Sequence, residues 1–239
     1  MTSEELVNMS FSDLASKLVL AVGLSSLLGS VAFAQDATQV QSPQPFTLTT
    51  PFDHKDEKKV LVYFKYDCPY CREYHSMLAS WGQSLPPGYV LEFVPVLETG
   101  ADGKILKKNL IPFSLYEALE LVPGVTASNL LAFSERAYAI EQDGIKKPDG
   151  DMPEWNAAVR YSGISGVSIK DASIEVEKEL PDLVERQGHY HLKETPTLVI
   201  CGKYEVSPGI TNGDHVMFQQ LINGVMSKCL IDQGVRPPG

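Results

Sequence analysis

The chain has little of what binding polyanions or spanning a membrane requires. Its 239 residues carry 20 Lys and Arg against 30 Asp and Glu, a formal charge of −10, with no Lys/Arg-rich run. Nucleic acid and anionic membrane surfaces are therefore unsuitable partners, and none is expected. Cysteine is scarce: Cys68, Cys71, Cys201 and Cys229 are the full set. Only the first two form C-x-x-C, so a closed zinc site would lack its second pair of thiolates. His75 extends the motif to C-x2-C-x3-H, but four residues beyond Cys71 it is expected along a helix surface. Neither metal nor cofactor is expected. No internal repeat is visible, which excludes a solenoid.

The most apolar stretch, Leu18 to Ala34, is 17 residues interrupted by Gly23, Ser25, Ser26, Gly29 and Ser30. That is short of the ~20 residues a membrane span needs. It follows Lys17 and ends Ala32-Phe33-Ala34, a small-x-small cleavage pattern. Residues 1–34 are therefore expected to be a signal peptide cleaved near Ala34, although Glu4, Glu5 and Asp13 make its leader acidic. Cleavage removes three acids and one lysine, leaving a charge of −8, and places the mature chain outside the cytoplasm, where C-x-x-C reads as an oxidising motif.

What is abundant is concentrated in Lys59 to Trp81. Val60 to Phe64 is a short β-rich apolar run, expected to be a buried strand. Asp67-Cys68-Pro69-Tyr70-Cys71 ends it. Tyr70, Tyr74, Met77, Leu78 and Trp81 then recur at helical spacing along one predicted stripe. Cys68 falls at the N-cap and Pro69 at the first helical position, where a missing N–H costs nothing. A thiol there faces free backbone N–H groups and the positive end of the helix dipole, so its pKa falls. Cys68 is the predicted nucleophile, and Cys71, one turn deeper, the resolving thiol. Asp67 beside Cys68 works against the thiolate.

Residues 35–45 read as a flexible tether and Phe46 to Thr50 as a first strand. Tyr89 to Leu97 is a further strand, with Pro95 marking an edge or bulge. From residue 104 to 192 the period changes to 3.6: a helix from Ile105 to Leu121 broken or restarted at Pro112, a second capped by Thr126, and a short one over Glu154 to Tyr161. A fourth starts at Ser168 and ends near Leu180, and Pro181 opens a fifth. Strand character returns at Thr195 to Cys201, turns through Gly202-Lys203, and pairs back along Tyr204 to Val206. Asp214 caps a last helix striped by Phe218, Leu221, Ile222, Val225 and Cys229. The pattern is a mixed α/β sheet, residues 46–103 and 193–232, interrupted by an all-helical insertion, residues 104–192.

The stretches YFKYDCPYCREYH, SLPPGYVLEFVPV, ETPTLVICGKYEVSPG and the closing helix resemble the DsbA-like thiol–disulfide oxidoreductases, a thioredoxin-like fold with a helical insertion. By position, the resemblance makes Cys68 the nucleophile and Cys71 its resolving partner, with Pro69 and Tyr70 between them. It makes Pro196 a cis proline facing them, and Thr195 the residue whose backbone pairs with substrate; propensity alone would make Pro196 trans. Tyr70 stands where many members carry histidine, and Val62 where many carry a buried acid. The family implies disulfide donation to unfolded exported proteins, reoxidation by a DsbB-type membrane partner, and a monomer. Pro-Tyr and Thr-before-Pro also occur in the isomerases DsbC and DsbG, so a reductase or isomerase stays open, as does a redox-inactive chaperone or metal-binding module. Cys201 and Cys229 fit either buried thiols or a structural disulfide. His189 and His191, just before Pro196, are candidates for stabilising the Cys68 thiolate, or are solvated helix-end histidines.

Overall fold

In the computed structural model, residues 44–51, 54–100, 105–143, 153–165 and 169–235 are described. The expected signal peptide and most of the tether lie outside them. Five strands form one sheet: β1 (Thr47–Leu48), β2 (Lys59–Phe64), β3 (Val90–Pro95), β4 (Thr197–Ile200) and β5 (Tyr204–Val206), in the order β1-β5-β4-β2-β3. β2 is parallel to β3 and antiparallel to β4. The parallel pair requires a crossover, supplied by α1 (Pro69–Gly82). β3 is an edge strand, which is why Pro95 at its end is tolerated.

Alternation along β2 sorts the core. Val60 and Val62 face a cluster containing Tyr74, Leu78 and Trp81 of α1 and Phe218, Ile222 and Val225 of α6 (His215–Asp232). Leu61 and Tyr63 point the other way, against Val94, Val199 and Tyr190. Phe64, at the end of β2, joins Tyr66 and Cys71 in a third cluster with the helices between β3 and β4. Those in the cluster are α2 (Lys107–Glu120), α3 (Ala127–Gln142) and α4 (Pro153–Tyr161), while α5 (Ile169–His189) lies along α2 outside it. Phe133, Tyr138, Leu115, Tyr116 and Trp155 fill that cluster, so the helical segment covers one flank of the C-x-x-C turn.

Both internal prolines differ from expectation. α2 runs unbroken through Pro112, and α5 is one helix through Pro181 rather than two. A mid-helix proline costs ~3 kcal/mol or more in isolation. Here α5 lies along α2, Leu180 and Leu183 pack on the Leu97–Phe113 pair, and the Gln187 amide both donates to Leu97 O and accepts from Leu97 N. Tertiary packing outweighs the local signal.

The β4–β5 hairpin turns one residue earlier than its sequence suggests. Lys203 N donates to Ile200 O, so Cys201 and Gly202 are the central pair, both at positive φ (56° and 62°). A side chain at 202 would meet the Pro51 backbone at 2.9 Å, which explains the glycine. Cys201 is disulfide-bonded to Cys229 of α6, with Cα atoms 6.4 Å apart. Closing a loop of sequence separation 28 contributes about 3.6 kcal/mol by the chain-entropy estimate. A Cys201→Ala/Cys229→Ala protein should therefore lose about that much stability in urea, yet keep its thiol exchange rate. The bridge lies near the start of β2 and Cys68 follows its end, roughly 20 Å away at 3.3 Å per residue.

Candidate active site

β2 ends at Phe64, and the turn Lys65–Cys68, closed by Cys68 N donating to Lys65 O, delivers Cys68 to the start of α1. Cys68 is the N-cap, with φ −90° and ψ 116°, and Pro69 fills the first turn. The Cys71 backbone N–H donates to Cys68 Sγ at 3.3 Å, as a capping oxygen would accept. From across the sheet, the loop before β4 brings the cis Thr195–Pro196 peptide to the same sulfur. Thr195 O accepts from the Cys68 thiol at 3.1 Å. Residues 127 positions apart are thus joined at one atom.

The two thiols are electrostatically opposite. Cys68 is held down to about 6, chiefly by the hydrogen bond from the Cys71 thiol, with the Thr195 side chain, the Cys71 N–H and the Lys65 charge adding to it against partial burial. Cys71 is only 2% exposed, and burial, then its role as donor to Cys68, pushes its thiol far up. Near neutral pH the pair is therefore one accessible thiolate and one buried thiol, the condition for Cys68 to attack or leave while Cys71 keeps its proton.

Lys65 was not among the residues singled out by the motif. It pairs with Glu98 at 2.6 Å and approaches Asp67 at 3.8 Å, so the acid beside Cys68 is offset by a cation. Gln142, at the end of α3, is a second such residue: its amide donates to Tyr66 O at 2.8 Å and Cys68 O at 3.0 Å. Arg72 and Asp143 add a bidentate pair between the same helices. Neither Gln142 nor Asp143 carries a sequence signal, because their partners lie more than seventy positions away.

Three expectations need correction. Tyr70 leaves the predicted buried stripe and is 58% exposed, facing the cavity beside Pro196. His75 does not lie along a helix surface. It is 4% exposed, stacked on Phe93 at 4.0 Å and paired with Tyr138 Oη at 3.0 Å. Burial lowers it to about 3, so it is a neutral core residue. His189 donates to Thr50 O, and with His191 it acts on Glu205 of β5; the cation facing Cys68 is Lys65. Val62 is sealed beneath α1 in the apolar core, so no strand carboxylate lies under the thiols at that position.

No protein-family model matches the chain. The DsbA thiol:disulfide interchange protein of Bordetella pertussis is 25% identical over 194 residues, 80% of this chain and 87% of that protein. The DsbA of Burkholderia cepacia is 25% identical over 209 residues, 83% of this chain and 89% of that one. Reduced DsbA1 from Neisseria meningitidis superposes with a TM-score of 0.57 at 19% identity, covering 80% of this chain and 96% of that one. DsbA from Pseudomonas aeruginosa gives 0.57 at 18%, covering 77% and 91%. These relatives, the shared fold and the paired thiols identify the chain as a DsbA-like thiol–disulfide oxidoreductase.

Proposed function

We propose that the mature chain is exported and donates disulfides to cysteines of unfolded exported proteins, with Cys68 as the reacting sulfur. The observation that carries this reading is the split between the thiols, Cys68 held down to about 6 and Cys71 buried and protonated. A stabilised thiolate is a good leaving group and makes the reduced protein the favoured form, which is what an oxidant needs. A substrate thiolate attacks Cys68 Sγ of the Cys68–Cys71 disulfide. The S–S bond breaks, Cys71 leaves as thiolate and takes a proton, and a mixed disulfide joins Cys68 to substrate. A second substrate thiolate attacks the substrate sulfur of that bond and Cys68 departs as thiolate. Two substrate thiols become one disulfide, and the protein's disulfide becomes a dithiol. Thr195 and Pro196 present the edge along which the substrate strand lies, and a DsbB-type membrane partner returns the protein to its oxidised form. The Cys201–Cys229 bridge and the leader at residues 1–34 support an oxidising compartment.

Equilibration with glutathione decides direction. A potential more oxidising than about −200 mV is expected, and one near thioredoxin's, about −270 mV, would reassign the chain as a reductase.

A further inference from the structure

Beside Cys68 the surface opens into a cavity of about 380 Å³, walled by Tyr70, Glu194, Thr195, Pro196, Pro208 and Asn212. Its charged member is Glu194, the residue before Thr195, whose carbonyl is 3.1 Å from Cys68 Sγ. Glu194 is fixed at both ends. Its backbone O accepts from Thr197 Oγ1 at 2.7 Å, and its carboxylate Oε1 accepts from the Ser207 hydroxyl. The same carboxylate lies against Gly209, where an added Cβ would come within 3.3 Å of Oε1. Among the described residues no cation pairs with it. Across the cavity, Tyr70 exposes 58% of its surface, an aromatic face able to take a cation.

We infer that Glu194, with Tyr70 opposite, selects substrate cysteines that have Lys or Arg one or two residues away. The inference rests on the disulfide-exchange reading above. A substrate strand pairing along Thr195 advances ~3.3 Å per residue, so side chains flanking the reacting cysteine fall within reach of the cavity. A cation there meets an anchored carboxylate and an aromatic face. An acidic neighbour meets the same carboxylate unpaired, as well as a mature chain of net charge −8.

The test uses the oxidised protein and three dithiol peptides, alike except for Lys, Ala or Glu beside the cysteine. Oxidation rates are followed by chromatography and divided by each peptide's rate with a neutral small disulfide, which removes differences in thiol pKa. The expected order is Lys over Ala over Glu, roughly three- to tenfold from end to end for a partly exposed pair. It should flatten in Glu194→Gln, survive in part in Glu194→Asp, and fade in 1 M salt, where charges are screened beyond ~3 Å. Equal rates for all three peptides with the wild type, or the full order retained in Glu194→Gln, would overturn the selection and leave the exchange reading intact. Oxidation of none of the three would overturn both.

Discussion

Replacing Cys68 by serine should reduce disulfide transfer to the rate seen without protein, while the circular dichroism spectrum stays unchanged. A hydroxyl at the N-cap still accepts from the Cys71 N–H, so the start of α1 keeps its cap. What disappears is the only sulfur that is both accessible and ionised: with a pKa of about 6, roughly 90% of Cys68 is thiolate at pH 7, against a few per cent for an ordinary cysteine. Cys71 cannot substitute, being buried and strongly protonated. Cys71→Ala should behave differently. Cys68 stays accessible and keeps the backbone N–H and Lys65, but it loses the Cys71 thiol's hydrogen bond, so its pKa should rise. An adduct formed on it has no neighbouring thiol to release it, so mixed disulfides with substrate or glutathione should accumulate and be visible by intact mass. Full activity in Cys68→Ser would instead favour a chaperone on this scaffold.

A second large effect should appear in stability. Cys68 has its pKa depressed in the fold relative to ~8.5 in the unfolded chain, so ionised Cys68 favours the folded reduced protein. For a lowered pKa, that contribution is complete above the unfolded value and is lost as pH falls through the folded one. Between pH 7 and pH 5, reduced protein should therefore lose roughly 1 kcal/mol, the linkage value discounted for solvent screening of the half-buried Cys68, that oxidised protein does not lose, because oxidised Cys68 has no proton to bind. The oxidised form is the internal reference: the two forms differ only in the thiols of Cys68 and Cys71, and Cys71 stays protonated across this range in both the folded and the unfolded reduced chain. Urea melts of the two forms at pH 5, 6 and 7 measure the gap. A gap independent of pH would mean that the fold does not stabilise the thiolate.

The half of the site carried by local chemistry was legible from residue order. Strand β2, proline at the start of α1 and the C-x-x-C spacing are neighbours in the chain, so period and capping sufficed to place Cys68. The same holds for Thr126 and Asp214, which cap α3 and α6 through their own side chains. The far half needed a resemblance: nothing about Thr195-Pro196 in isolation says it closes on a sulfur 127 positions earlier. What escaped altogether depended on the helices from 107 to 189. They bury His75, which looked like a surface residue because its cover arrives from α3. They carry Gln142, whose two carbonyl partners are distant in sequence, and they hold α5 straight through Pro181. The histidines before Pro196 misled for a similar reason. Closeness in sequence to the reactive loop did not bring them to the reactive sulfur, because α5 ends beside β1 and β5.

Titration of the reduced protein by thiolate absorbance near 240 nm tests the site most directly. One thiolate should ionise with a midpoint near pH 6, and the second thiol should stay protonated beyond the ordinary cysteine range, giving two well-separated steps. Two thiols titrating together at pH 8.5 or above would contradict the account, since neither sulfur would then be held as an anion by the start of α1.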